Sequence, residues 1–239
     1  KSMFERMLPI LLEGWGWMLI KGAFMTLFIA LFGMLLGTFI GIAGASIRLY
    51  GPRPLGWLVR IYTTVTRSIP ELLIIYLIFF GSVHGATDLA YFLNIDEAFN
   101  RWFPALVGIL AIGVIAGSYS VEVFRGAFTA IPVGQIEAAQ AIGMSRWTRF
   151  WRISLPQLFW YALPGSNNVW QTALKDTALI SLVGLVEIMR AAQLGAASTR
   201  EPLLFYLCAG ALFFLIGIGS QALFTAAERF AGHGLRDAS

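Results

Sequence analysis

The chain has 239 residues, 58% of them hydrophobic and only 13% charged, with a formal net charge of +4 and a mean hydropathy of +0.73. That balance excludes a soluble domain with a polar surface. Runs that are apolar throughout also exclude a transmembrane barrel, whose strands alternate lipid-facing and lumen-facing residues.

In chain order, the N-terminal stretch mixes Trp15 and Trp17 with Glu5, Arg6, Glu13 and Lys21, a pattern that suits an amphipathic segment lying on the outer membrane surface. Gly22 to Ile47 is uncharged and long enough to cross the hydrocarbon, which takes about 20 residues as a helix. It is longer than a signal-peptide apolar region and lacks a small-residue cleavage site, so it reads as the first membrane helix. Gly33, Gly37 and Gly41 fall at four-residue spacing in it, and Gly113 and Gly117 repeat the pattern in the third span, as expected of helices whose backbones approach closely.

A second span, from about Ile61 to Val83, carries Arg67 and Glu71. The third, Trp102 to Val121, is clean; the fourth, about Pro156 to Glu187, carries Lys175 and Asp176; Pro202 to Ala227 is the fifth. The expected fold class is thus an all-α integral membrane protein of five transmembrane helices, a single domain over residues 1–239. Pro156, Pro164, Gly165, Asn167 and Asn168 predict a broken fourth helix lining a path.

Loop charges give the orientation. Arg48, Arg53 and Arg60 join the first two spans without an acid, whereas Asp88, Asp96 and Glu97 stand against Arg101 in the next loop. The positive-inside rule then places the N-terminus outside, and the third connection and the C-terminus, with Arg229 and Arg236, in the cytoplasm.

That third connection, at about 132–152, is polar. A helix is predicted to start near Gln135, with Glu137 in its first turn and Ile136, Ala139, Gly143 and Trp147 on one face. Gly143 can end it in the left-handed conformation and Ser145 can cap a second helix, whose Arg146, Arg149 and Arg152 recur beside aromatic rings.

Ionisable groups in a span cost about 2.5–3.5 kcal/mol each on insertion scales, so they face a cavity or a partner helix. The chain keeps Arg67, Glu71, Glu122, Lys175 and Asp176, two positive and three negative, and an acidic excess favours a cationic substrate. Ser118 and Tyr119 share a face with Glu122. Arg67 and Glu71 also suit an internal ion pair at i,i+4. Cys208 lies alone in the last span, and His84 and His233 are far apart, so no metal site is expected.

Glu137-Ala138-Ala139, Gly143 and Ile153-Ser154-Leu155-Pro156 resemble the "EAA" loop of the permease subunits of bacterial ABC importers. "TRSIPELL" (66–73), "GSYSVEVFRGAFTAIPVGQ" (117–135) and "ALPGSNNVWQTALKDTALISLVGL" (162–185) extend the resemblance over nearly the whole chain. It is most similar to the polar amino-acid subfamily, and within it to the Q-type subunits of histidine/lysine-arginine-ornithine or opine permeases.

The resemblance implies a type I permease fold in the bacterial inner membrane. It implies that Glu137, Ala138, Ala139 and Gly143 form a coupling helix docked on a separate ATPase dimer, which binds ATP and Mg. This chain has no phosphate-binding loop of its own, so it is not expected to be an enzyme and needs no catalytic residue. Further implied partners are a second permease subunit (a related M-type chain or a copy), a periplasmic binding protein, the amino-acid substrate and lipid, with no nucleic acid. Members of the subfamily that take basic amino acids carry an acid where Glu71 stands. Basic amino acids or opines are therefore the expected cargo; neutral or other polar amino acids are the alternative, and a passive channel or structural subunit is the alternative of a different class.

Overall fold

The computed structural model describes the backbone of residues 11–92 and 96–232, and it is helical wherever a regular element forms. The segment before residue 11, the side chains of His84, Asp88, Asp96, Glu97 and Arg101, and His233 and Arg236 lie outside the described residues.

Helix α1 runs over Gly16–Tyr50 and is apolar on all sides, as a membrane-embedded helix must be. Trp17 and Lys21 belong to its first turns, the ammonium lying 5.6 Å from the Trp17 ring centre, rather than to a separate surface segment as expected. Gly51 and Pro52 end it and start α2, Arg53–Ser68.

The second predicted span is two helices. Ile69 precedes Pro70, whose ring disfavours helical backbone at the residue before it, and Ile69 is extended (ψ 139°). The chain bends by 110° between α2 and α3, Glu71–Phe92. Arg67 and Glu71 therefore stand on different helices, and the i,i+4 geometry expected for them does not form.

Helix α4, Asp96–Ala130, packs along α1 in the most extensive interface of the fold. The spaced glycines explain it. A Cβ on Gly37 would lie 2.9 Å from the Ala116 side chain and 3.0 Å from the Gly117 nitrogen, and one on Gly41 would lie 2.4 Å from the Ser120 Cβ. From the other side, Gly113 and Gly117 receive Leu36 and Ile40. The two glycine series face each other, so backbone meets side chain along both edges of one seam.

Beyond Pro132 come α5, Val133–Ala141, and α6, Arg146–Arg149, the latter running through a wide turn, Phe150–Ser154, into α7, Leu155–Asp176. Pro164 does not break α7, contrary to expectation. Its ring is exposed, and Gly165 beside it lets α7 approach α4, an added Cβ falling 2.8 Å from Val123. The break comes later, at a tight helical stretch Thr177–Val183 ended by left-handed Gly184 (φ 94°). Helices α8, Ile188–Thr199, and α9, Pro202–Gly232, follow.

Among the described residues, three helical segments are long and apolar enough to cross a membrane alone: Glu13–Tyr50, Trp102–Ala130 and Pro202–Gly232. Counting each bent pair as one span, α2 with α3 at 110° and the helical segment Arg146–Val183, which contains α7, with α8 at 49°, brings the number to five. Ile29 of α1, Ile75 of α3, Ile112 and Ile115 of α4 and Ile180 after α7 meet in one buried cluster.

Glu187 is fully buried and caps α8, its carboxylate accepting hydrogen bonds from the Met189 and Arg190 amides at 2.9 and 2.8 Å. The next amide, of Ile188, donates to the Thr26 hydroxyl of α1 at 3.4 Å. Substituting Glu187→Ala leaves two amides without acceptors, at a cost of about 2 kcal/mol. The melting midpoint of the purified protein should fall, with Glu187→Gln intermediate because its carbonyl oxygen still accepts.

Candidate functional site

Two regions bring the sequence-predicted residues together. The first lies where α2, α3, α4 and α7 converge. Arg67, in the last turn of α2, sets its guanidinium 5.2 Å from the Tyr119 ring centre on α4. Such stacking uses the ring's negative face. Glu71, the first residue of α3, and Asp176, the last of α7, both act electrostatically on Tyr119, and Glu71 acts on Asp176. Lys175 is exposed beside Asp176.

The Pro70 bend puts Glu71 here, and the end of α7 puts Asp176 here. One Asp176 carboxylate oxygen, Oδ2, is buried with no hydrogen-bond partner. An unpaired carboxylate oxygen next to a second acid is an acceptor awaiting a donor. With Arg67 stacked on Tyr119, the cluster offers acceptors for an ammonium or guanidinium group and a donor fork for a carboxylate.

Glu122 and Ser118 do not join it. Glu122 is shared between Arg48, at the end of α1, and Arg125, whose Nε donates to its Oε2 at 3.0 Å. The Ser118 hydroxyl is buried and donates to the Ile115 carbonyl at 2.8 Å, one turn back along its own helix. Two arginines answer Glu122, so the acidic excess counted from the sequence disappears, and the cluster holds Arg67 and Lys175 against Glu71 and Asp176.

The second region is the connection between α4 and α7. Gly143 takes the left-handed conformation (φ 76°), and the Ser145 hydroxyl accepts from the Thr148 amide at 3.2 Å, so the two short helices meet as expected. Helix α5 begins at Val133, two residues earlier than predicted, which moves Glu137 into its second turn. Ala139 is buried at 3%, whereas Glu137, Ala138 and Gly143 are exposed. Trp147, predicted on the same face as Ala139, is 69% exposed because the chain turns at Gly143.

Around them Val133 and Ile142 are also largely exposed, an uncovered apolar surface outside the membrane-spanning helices. Gln157, buried on α7, donates through Nε2 to Gln135 Oε1 and to the Ile153 carbonyl, so the loop is tied back to the helix that follows it.

The pairing of Arg48 and Arg125 with Glu122, the Glu187 cap and the Gln135–Gln157 pair escaped the sequence reading. For Glu187 a signal existed, an acid just ahead of a helical run, where a side-chain cap is favoured. Arg125 stands three residues from Glu122, a spacing at which helix side chains pair, whereas Arg48–Glu122 and Gln135–Gln157 are long-range pairings with no local signature. Asn167, expected at a helix break, instead donates to Gln221 of α9 at 2.9 Å, and Gln171 one turn on reaches Gly217 and Ser220.

Residues 33–230 match the family described as binding-protein-dependent transport system inner membrane component. The chain is 46% identical over 230 residues to the nopaline transport system permease protein NocQ of Agrobacterium fabrum, covering 93% of this chain and 94% of that protein. It is 38% identical over 219 residues to the histidine/lysine/arginine/ornithine transport system permease protein HisQ of Salmonella typhimurium, with 92% and 95% covered. Among solved structures, an amino acid ABC transporter with histidines shares the fold at a TM-score of 0.74 and 22% identity, over 91% of this chain and 96% of that one.

Proposed function

Because the chain belongs to the family of binding-protein-dependent transport system inner membrane components, we propose that it is the translocation subunit of an ATP-driven importer of basic amino acids or opines. The observation that carries the substrate class is the convergence of Arg67, Glu71, Tyr119 and Asp176 from four helices at the Pro70 bend. Arg67 takes the substrate carboxylate, while Glu71 and Asp176 take its cationic end. Arginine, lysine, histidine and the opines named for the relatives all bear a carboxylate and a basic nitrogen.

In this reading the N-terminus is outside, and the arginine-rich α1–α2 turn, the Gly143 loop and the C-terminus face the cytoplasm. A binding protein delivers substrate from the outer side. A separate ATPase dimer, holding ATP and Mg, takes the exposed surface of α5 and α6 into a cleft. Glu137 and Ala138 lie at that contact, Ala139 is buried beneath it and seats α5 on the rest of the chain, and Gly143 sets the angle through which ATPase closure moves α7. One copy encloses too little to form a path, and a second permease subunit, a related chain or another copy, completes it.

The test is substrate-stimulated ATP hydrolysis by the assembled importer in liposomes. Hydrogen bonds to charged groups contribute about 1.5–3 kcal/mol. Glu71→Gln with Asp176→Asn should therefore weaken stimulation by arginine-loaded binding protein at least about tenfold while basal hydrolysis persists. Stimulation that survives this double substitution unchanged would remove these acids from the substrate path.

A further inference from the structure

Where α1 turns into α2, Arg48, Gly51, Arg53, Gly56, Trp57 and Arg60 line a pocket of about 280 Å³. Arg53 and Arg60 stand seven residues apart on α2, which places them on one face about 10 Å apart along the axis, with Trp57 between them. Arg48 is answered by Glu122. Among the described residues neither Arg53 nor Arg60 has an ion-pair partner, and the sequence holds no acid from Arg48 to Pro70. Two uncompensated guanidinium groups converging on one cavity make an anion site. Arginines that only marked the inner side of the membrane could stand anywhere along the turn.

The next face of α2 tells what kind of anion fits. Leu55, Leu58, Ile61 and Val65 are between 38% and 55% exposed and form an apolar strip beside the basic face, which makes α2 the most amphipathic of the described helices. Trp57, 63% exposed, sits at the border, the position tryptophan takes at a membrane–water interface. A ligand that answers both faces carries a phosphate for the pocket and acyl chains for the strip. We infer that this pocket binds the head group of an anionic phospholipid, Arg53 and Arg60 holding the phosphodiester and the apolar strip of α2 receiving the chains. A zwitterionic lipid is disfavoured, since its ammonium group would lie against the same two arginines.

The assembled importer, purified in mild detergent, is titrated with phosphatidylglycerol, cardiolipin or phosphatidylcholine, and bound lipid is counted by native mass spectrometry. The anionic lipids should bind and phosphatidylcholine should not. Arg53→Gln with Arg60→Gln should weaken phosphatidylglycerol binding about twenty-fivefold, two arginines at about fivefold each. Arg53→Lys with Arg60→Lys, which keeps the charge, should retain most of it.

Equal binding of all three lipids, or binding unaffected by the glutamine substitutions, overturns the inference. So does displacement of phosphatidylglycerol by millimolar inorganic phosphate, which would mark a site for a free anion. A photoreactive residue in place of Leu58 should capture lipid; capture of a partner chain assigns the strip to a protein contact and overturns the inference as well. If the glutamine variant does not assemble, the lipid comparison on the unsubstituted importer still decides.

Discussion

Gly143→Val should uncouple transport from ATP hydrolysis, cutting substrate uptake into liposomes at least tenfold while the membrane helices remain assembled. Gly143 holds φ at 76°, a region that costs an ordinary side chain about 1–2 kcal/mol and a β-branched one more. A Cβ built there meets nothing within 4 Å, so the penalty is purely one of backbone conformation. The helix pair relieves it by changing the angle between α5 and α6, and that angle presents the apolar surface around Val133 and Ile142. Gly143→Asn, which tolerates the left-handed region, should keep most of the uptake. Comparing uptake with ATP hydrolysis separates the outcomes: loss of both together with loss of assembly would mean that Gly143 serves folding alone.

Gly41→Leu is expected to prevent stable assembly altogether. Its Cβ would sit 2.4 Å from the Ser120 Cβ and 2.9 Å from the Ser120 carbonyl carbon, and the latter, being backbone, cannot rotate away. Overpacking usually costs about 1–3 kcal/mol, and a whole leucine driven into a seam between two long helices lies at the upper end or beyond. Gly210→Leu on α9, where an added Cβ meets nothing within 4 Å, is the matched control and should leave yield and melting unchanged. Equal behaviour of the two variants in a detergent-melting series would mean that the α1–α4 seam tolerates separation.

Much of this fold was legible because the signals are local. The apolar runs, the four-residue glycine spacing and the Gly143–Ser145 junction each state their purpose within a few residues. Proline was legible in kind and not in effect. Pro70 and Pro164 look alike in sequence, yet the first accompanies a 110° bend and the second leaves α7 continuous, its ring exposed while Gly165 beside it packs against α4.

Glu122 illustrates the other limit. Its partner Arg48 is 74 residues away, so a count of charges along the chain assigned it to the path when the fold spends it on holding α1 to α4. Arg67, Glu71, Tyr119 and Asp176 could each be singled out as ionisable or polar groups in apolar runs. That they come together, while Ser118 and Glu122 turn elsewhere, depends on a bend and a helix end that periodicity does not reveal.

The length of α1 has a bearing on the lipid environment as a whole. Its uncharged run from Gly22 to Ile47 measures about 39 Å as a helix, against a hydrocarbon layer of about 30 Å. Tilt or local thickening of the bilayer must absorb the difference. The glycine seam welds α1 to α4, and α4 carries Tyr119. Bilayer thickness is thereby mechanically joined to the proposed substrate path: a membrane of shorter acyl chains asks α1 to lean further, and α4 leans with it.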